Sequence, residues 1–186
     1  MHTGKKQILA LIGSATENSS NLKIVQSIAA HFEHLNFQII QDLHSFPHFE
    51  TKRTLNNVPD KIVWLRQQII DADGILFCTP EYIFSIPSGL KNILEWCVSS
   101  VDFSNKPVSI ITAAASGEKG HEELRMIMQM LGAFVIDENN VLIKGIKSKF
   151  DTTGNLEETT LHQVLNTIKN FDVTIENLSM PDHLIN

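Results

Sequence analysis

The sequence predicts an α/β fold in three layers, a five-stranded parallel sheet of order 2-1-3-4-5 between two layers of helices. Three observations predict it. Short continuous apolar runs, such as Gln-Ile-Leu-Ala-Leu-Ile at 7–12, read as strands buried on both faces, the pattern of parallel sheets. These runs alternate with amphipathic helical stripes along the whole chain. Five strands joined by right-handed crossovers favour this order over the longer doubly wound one. The 186 residues, 42% hydrophobic and 19% charged, suit one globular domain spanning 1–186.

The first strand, Gln7 to Ile12, stops at Gly13, and Ser14 to Ser20 form a polar loop. From Asn21 the period changes: Val25, Ile28, Ala29 and Phe32 fall on one helical stripe. Phe37 to Gln41 is the second strand, and His44 to Val58 is a long loop with Pro47 within it and Pro59 at its end. Loops this long in compact domains are often functional. Pro59 can start the next helix, which Ile62, Leu65, Arg66 and Ile69 mark and Val63 and Trp64 widen. Ile75 to Thr79 is the third strand, and Pro87 or Ser88 opens a helix running to Val98. Pro107 to Ala113 is the fourth strand, Gly117 and Gly120 punctuate the loop after it, and Glu122 to Leu131 is a helix. The fifth strand lies within Phe134 to Lys144, with a break expected near Asn139-Asn140. The last helix is Leu156 to Phe171, with Leu161, Val164, Leu165 and Ile168 facing in.

The net charge of −6 contains no block of like charge, and the lysines and arginines are scattered. That argues against a nucleic-acid or anionic-membrane partner. No apolar run approaches the roughly 20 residues of a membrane helix. Met1 to Lys6 lacks a small-residue cleavage site and reads as a frayed start, so a cytoplasmic location is expected. Cys78 and Cys97 fall in apolar elements, read as buried small hydrophobes, and form neither a CxxC pair nor a metal spacing. His44, His48 and His121 suggest no metal site either.

In the order 2-1-3-4-5 the loops after the first and third strands face one crevice. The first, Gly13-Ser14-Ala15-Thr16-Glu17-Asn18-Ser19-Ser20-Asn21, carries four hydroxyls and two amides into a helix N-terminus. Free N–H groups and the helix dipole there favour an anion such as a phosphate monoester. The same residues would equally serve if Ser19 or Ser20 only capped the helix. Neither GxGxxG nor GxxxxGK[ST] is present. The second loop, Pro80-Glu81-Tyr82-Ile83-Phe84-Ser85-Ile86-Pro87, leaves a buried strand, turns between two prolines and feeds a helix.

Together these loops resemble the NADPH-dependent FMN reductase family, which is flavodoxin-like and includes flavin, quinone, azo-dye and chromate reductases. Gly13, Ser14, Ser19 and Asn21 resemble its G-S-x-R-x-x-S-x-N loop. Pro80, Glu81, Tyr82, Ser85, Pro87, Leu90, Lys91 and Asn92 match its P-E-Y-N-x-S-x-P-x-x-L-K-N signature. Lys106-Pro107-Val108 and Ala113 to Gly120 resemble its fourth strand and third flavin loop. The chain departs from the family pattern at Thr16, where arginine is usual, and at Ile83, where asparagine is usual beside the flavin ring.

The resemblance implies bound FMN, with NADPH or NADH as hydride donor and a small acceptor such as free flavin or a quinone. It implies that Ser14, Thr16, Ser19, Ser20 and Asn21 hold the phosphate. Pro80, Glu81, Tyr82, Ile83 and Phe84 would line the ribityl chain and ring, and Ser116, Gly117 and Gly120 would approach the ring's pyrimidine side. No side chain is required as acid or base, so no catalytic residue is assigned. It also implies a homodimer or homotetramer. The helix at 88–98 is apolar around much of its circumference, and Trp96 is expected at such a contact. Thr16 keeps open an electron carrier without nicotinamide turnover, and Thr16 with Ile83 a scaffold that has lost flavin.

Overall fold

A computed structural model describes residues 4–179. Of the frayed start expected over Met1 to Lys6, Met1–Thr3 lie outside the described residues, whereas Lys6 already belongs to the first strand and pairs with Asp172 of the last helix. The sheet contains β1 (Lys6–Ile12), β2 (Leu35–Ile40), β3 (Gly74–Thr79), β4 (Pro107–Ala114) and β5 (Phe134–Lys144). Every neighbouring pair is parallel, and the spatial order is β2-β1-β3-β4-β5. The fold is therefore the flavodoxin-like arrangement expected from the alternation of elements. The crossovers are α1 (Ser20–His31), α2 (Asp60–Asp71), α3 (Ser88–Trp96) and α4 (Glu118–Met130), with α5 (Glu158–Ser179) following β5.

The two-residue period of the strands divides the core. Leu9, Leu11, Ile75 and Phe77 point to one face, where Leu65 of α2, Leu90 of α3 and Leu124 of α4 cover them. Ile8, Ala10, Leu76 and Cys78 point to the other, against Ile24 and Ile28 of α1 and Val164 and Ile168 of α5. Each such aliphatic side chain, fully buried, contributes about 1.5–3 kcal/mol. Both thiols are free and buried, and burial pushes them up, Cys97 to about 12. They are inert neutral fillers at ordinary pH.

Several element boundaries differ from the sequence expectation, each for a physical reason. α4 begins at Glu118, so Gly120 lies inside a helix instead of in a loop. The early start is supported from outside the helix by the Glu81 carboxylate, which accepts from the Gly117 and Gly120 N–H groups. α5 runs on to Ser179 because Phe171 and Ile175 extend its buried stripe. The suspected break in β5 is a register shift: Val108 pairs with Val135, and Ile110 with Asn140. The intervening bulge is held by side chains, as Ile110 N–H donates to Asn140 Oδ1 (2.9 Å) and Ser109 Oγ to the Asn139 carbonyl (2.6 Å). The loop at 44–58 contains two single-turn 3-10 helices, Leu43–Ser45 and Thr51–Arg53.

Trp96 is a correction. It is fully buried, its Nε1 donates to the Pro47 carbonyl at 2.8 Å, and its ring meets Phe49 edge-on. The apolar girth of α3 is thus explained from within the chain. One side packs on the sheet, and the loop segment from Leu43 to Phe49 covers another. On its solvent side α3 presents Lys91 and Glu95, and the exposed apolar residue beside it is Val98, just past its end.

Candidate active site

Parallel strands deliver their C-terminal ends to one edge, and four loops meet there around a cavity of about 680 Å³. From the loop after β1 come Ser14, Thr16, Asn18, Ser19, Ser20 and Asn21. From the loop after β3 come Pro80, Glu81 and Tyr82. The end of β4 adds Ala113, Ala114 and Ala115, and the turn after β5 adds Gly145 to Ser148.

The first loop is shaped by its own hydroxyls. Ser14 Oγ accepts from Thr16 N–H (3.3 Å), which folds the loop back. Ser19 is the N-cap of α1, its Oγ accepting from Leu22 N–H (3.2 Å). Asn21 is buried and acts as a tie: its amide donates to the Ala113 carbonyl (3.4 Å), and its carbonyl accepts from Cys78 Sγ (3.4 Å). It fixes the α1 N-terminus to β3 and β4. Capping and anion binding are compatible, because a capping hydroxyl accepts with oxygen and retains its proton to donate.

The loop after β3 is held by a reciprocal clasp with α4. The Glu81 carboxylate accepts from Gly120 N–H (2.8 Å) and Gly117 N–H (3.3 Å) at the α4 N-terminus. In return, the Glu123 carboxylate accepts from Ile86 N–H (2.9 Å) and Ser85 Oγ (2.7 Å). Gly120 eases the approach, since a Cβ there would lie a tight 3.3 Å from Glu81 Cβ and 3.4 Å from the Ser85 carbonyl. The tip between the two carboxylates is a two-residue hairpin: Tyr82 and Ser85 exchange both backbone hydrogen bonds, at 2.9 and 3.1 Å. Ile83 and Phe84 take φ of 50° and 59°, as a type I′ turn requires.

A β-branched residue in that region is strained, whereas asparagine adopts it readily. The family's asparagine at this position thus has a backbone reason to be there. Ile83 is 95% exposed and Phe84 76% exposed, so neither side chain has a packing partner to offset the strain. Ile83→Asn is expected to stabilise the fold by about 1 kcal/mol, read as a higher urea midpoint.

The structure brings together eight of the residues expected at the site: Ser14, Thr16, Ser19, Ser20, Asn21, Pro80, Glu81 and Tyr82. Ile83 and Phe84 stand off the cavity at the hairpin tip, and Ser116, Gly117 and Gly120 lie beside it without lining it. The Gly117 and Gly120 amides point to Glu81. The small residues that line the β4 side are instead Ala113 to Ala115. Sequence reasoning missed Glu123 and the turn 145–148, since neither belongs to a contiguous motif. His121, which follows Gly120, hydrogen-bonds Thr112 Oγ1 through Nδ1 (2.9 Å); burial, then Arg125, hold its pKa below the ordinary value. It is neutral at pH 7 and braces α4 on β4.

The donor set fits FMN. Neutral hydroxyls and the α1 N-terminus make one end suited to a phosphate. Pro80, Tyr82, Ala113 to Ala115 and Ile146 make the rest largely apolar, as an aromatic ring system needs.

Comparison with known proteins agrees with this geometry. The family model described as NADPH-dependent FMN reductase matches residues 7–147. The subunit CrdA of the NADH:(hydroxy)cinnamate reductase of Vibrio ruber is 31% identical over 80% of this chain and 76% of its own length. The NADH-dependent flavin reductase subunit 2 of Lactobacillus johnsonii is 29% identical over 91% of this chain and 97% of its own. Among solved structures, the NAD(P)H:(acceptor) oxidoreductase FerB of Paracoccus denitrificans superposes with a TM-score of 0.73 at 19% identity, covering 92% of this chain and 98% of that one. That likeness speaks to the fold, while the family match spans both signature loops. The chain belongs to the NADPH-dependent FMN reductase family.

Proposed function

We infer that the protein is an FMN-dependent NAD(P)H oxidoreductase that reduces a small acceptor such as free flavin or a quinone. The observation that carries this reading is the convergence of the hydroxyl-rich loop after β1 and the proline-bracketed loop after β3 on one cavity. Bound FMN would supply the redox chemistry, accepting a hydride from the nicotinamide and delivering it to the acceptor. The chain supplies binding and position. Ser14, Thr16, Ser19 and Ser20 offer donors to the phosphate. Pro80, Tyr82 and the three alanines would shield the ring from water. The clasp of Glu81 and Glu123 keeps the ring-side loop from moving away.

The test is anaerobic. The FMN-loaded protein receives NADPH, then NADH, and the flavin absorbance is followed. Bleaching, with recovery of colour on adding a quinone or oxidised flavin, is the expected result. A flavin that stays oxidised with both donors would leave a carrier, the reading that Thr16 favours.

The described residues contain no helix long and apolar enough to cross a membrane. We propose a cytoplasmic location, supported by two free buried thiols. We further propose that the chain pairs with a second copy through the α3–α4 side. An apolar groove of about 210 Å³ lies there between Phe49, Leu94, Val98, Ile127 and Met130. Val98 and Met130 are 52% and 63% exposed. Light scattering should give a dimer or tetramer mass, and Met130→Glu should shift it to the monomer. A monomeric parent protein would refute the pairing.

A further inference from the structure

The cavity carries a charge whose origin the signature loops do not account for. A phosphate monoester brings about −1.5 to −2 charges at pH 7. The loop after β1 meets it with neutral side chains, because Thr16 stands where the family has arginine. Among the lining residues the one cation is Lys147, and the one acid is Glu81, which is already engaged with the α4 amides.

The backbone that carries Lys147 is fixed, while its side chain is exposed. β5 ends at Lys144, Gly145 turns the chain, and Ile146–Lys149 form a single-turn 3-10 helix. Ile146 is buried in the core cluster beneath α1 and α5, and Gly145 N–H donates to the Ala115 carbonyl (3.2 Å). Ser148 closes the turn, its N–H and Oγ both donating to the Gly145 carbonyl at 2.9 Å. The flanking lysines have acidic partners: Lys144 pairs with Glu118, and Lys149 with Glu157 at 2.7 Å. Among the described residues Lys147 has no carboxylate within salt-bridge distance, and it borders the same cavity as Ser14, Thr16 and Ser19.

We propose that Lys147, from the turn after β5, is the cation that pairs with the FMN phosphate and replaces the charge lost at Thr16. This rests on the FMN reading above. The charge has moved from the first loop to the last, leaving the hydroxyl loop to supply geometry and Lys147 to supply attraction. The pairing is electrostatic and partly solvated, so it weakens with salt.

The test titrates apoprotein with FMN and with riboflavin, which lacks the phosphate, following quenching of flavin fluorescence. Lys147→Ala should weaken FMN about tenfold, the scale of one charge-assisted hydrogen bond, and leave riboflavin unchanged. It should also flatten the salt dependence of FMN binding. Adding Thr16→Arg to Lys147→Ala should recover FMN affinity. Equal FMN affinity in the parent and Lys147→Ala proteins would overturn the assignment while leaving the FMN site standing. A rise in KM for NADPH alone, without change for FMN or NADH, would overturn it in favour of the nicotinamide 2′-phosphate. Failure of the parent protein to bind either flavin would remove the FMN reading and the proposal together.

Discussion

Gly13→Ala is expected to lower stability by about 2–3 kcal/mol and to abolish tight FMN binding. A Cβ at residue 13 would lie 2.1 Å from Thr79 Oγ1 and 2.6 Å from Thr79 Cβ. Thr79 is fully buried, so it cannot swing into solvent. Gly13 also donates its N–H to the Cys78 carbonyl at 2.9 Å, which locks β1 against β3 at the point where both loops depart. Relief of the clash must separate these strand ends, and with them Ser14 from Pro80. The effect therefore reaches both halves of the site through one methyl group. A urea titration and an FMN titration of the same variant measure the two consequences. Retention of both parent values would mean that the strand ends do not set the cavity.

Breaking the clasp is the second large effect. Glu81→Ala leaves two backbone N–H groups without their carboxylate, and Glu123→Ala leaves one N–H and one hydroxyl. Hydrogen bonds to a charged group contribute about 1.5–3 kcal/mol, so each variant should lose about 2 kcal/mol. Both carboxylates hold the same loop, so the double variant should lose less than the sum. Hydrogen exchange at Ile86 and Gly120 should accelerate in either single variant. FMN affinity should fall with stability, because Pro80 and Tyr82 belong to the released loop. Strict additivity, with exchange altered only at the mutated end, would show two independent contacts and no clasp.

The fold was legible because the buried strands advertise themselves. β3 and β4 are buried along their whole length and β1 from Ile8 onward, and each is a short, mostly apolar run. The two signature loops were legible because each is contiguous and lies after such a strand. What stayed hidden depends on distance along the chain. Glu123 reaches Ile86 across 37 residues, and Glu81 reaches Gly120 across 39. No local pattern encodes either contact. The same contacts explain the misplaced start of α4: Gly117 and Gly120 look like breakers until Glu81 caps the helix from outside. Trp96 was misjudged on similar grounds. Its stripe looks surplus beside the sheet alone, yet the loop at 43–49 covers it. Lys147 carries no sequence signal at all. Only the parallel topology brings the turn after β5 beside the loop after β1.

The most direct measurement of the central claim is a crystal structure of the protein with FMN bound. The phosphate should lie at the N-terminus of α1, within hydrogen-bonding distance of Ser14 or Ser19. The ring should lie between the 80–82 loop and Ala113 to Ala115. FMN found instead in the separate groove that His44, His48 and Lys91 line, or with its phosphate away from the loop after β1, would contradict this site.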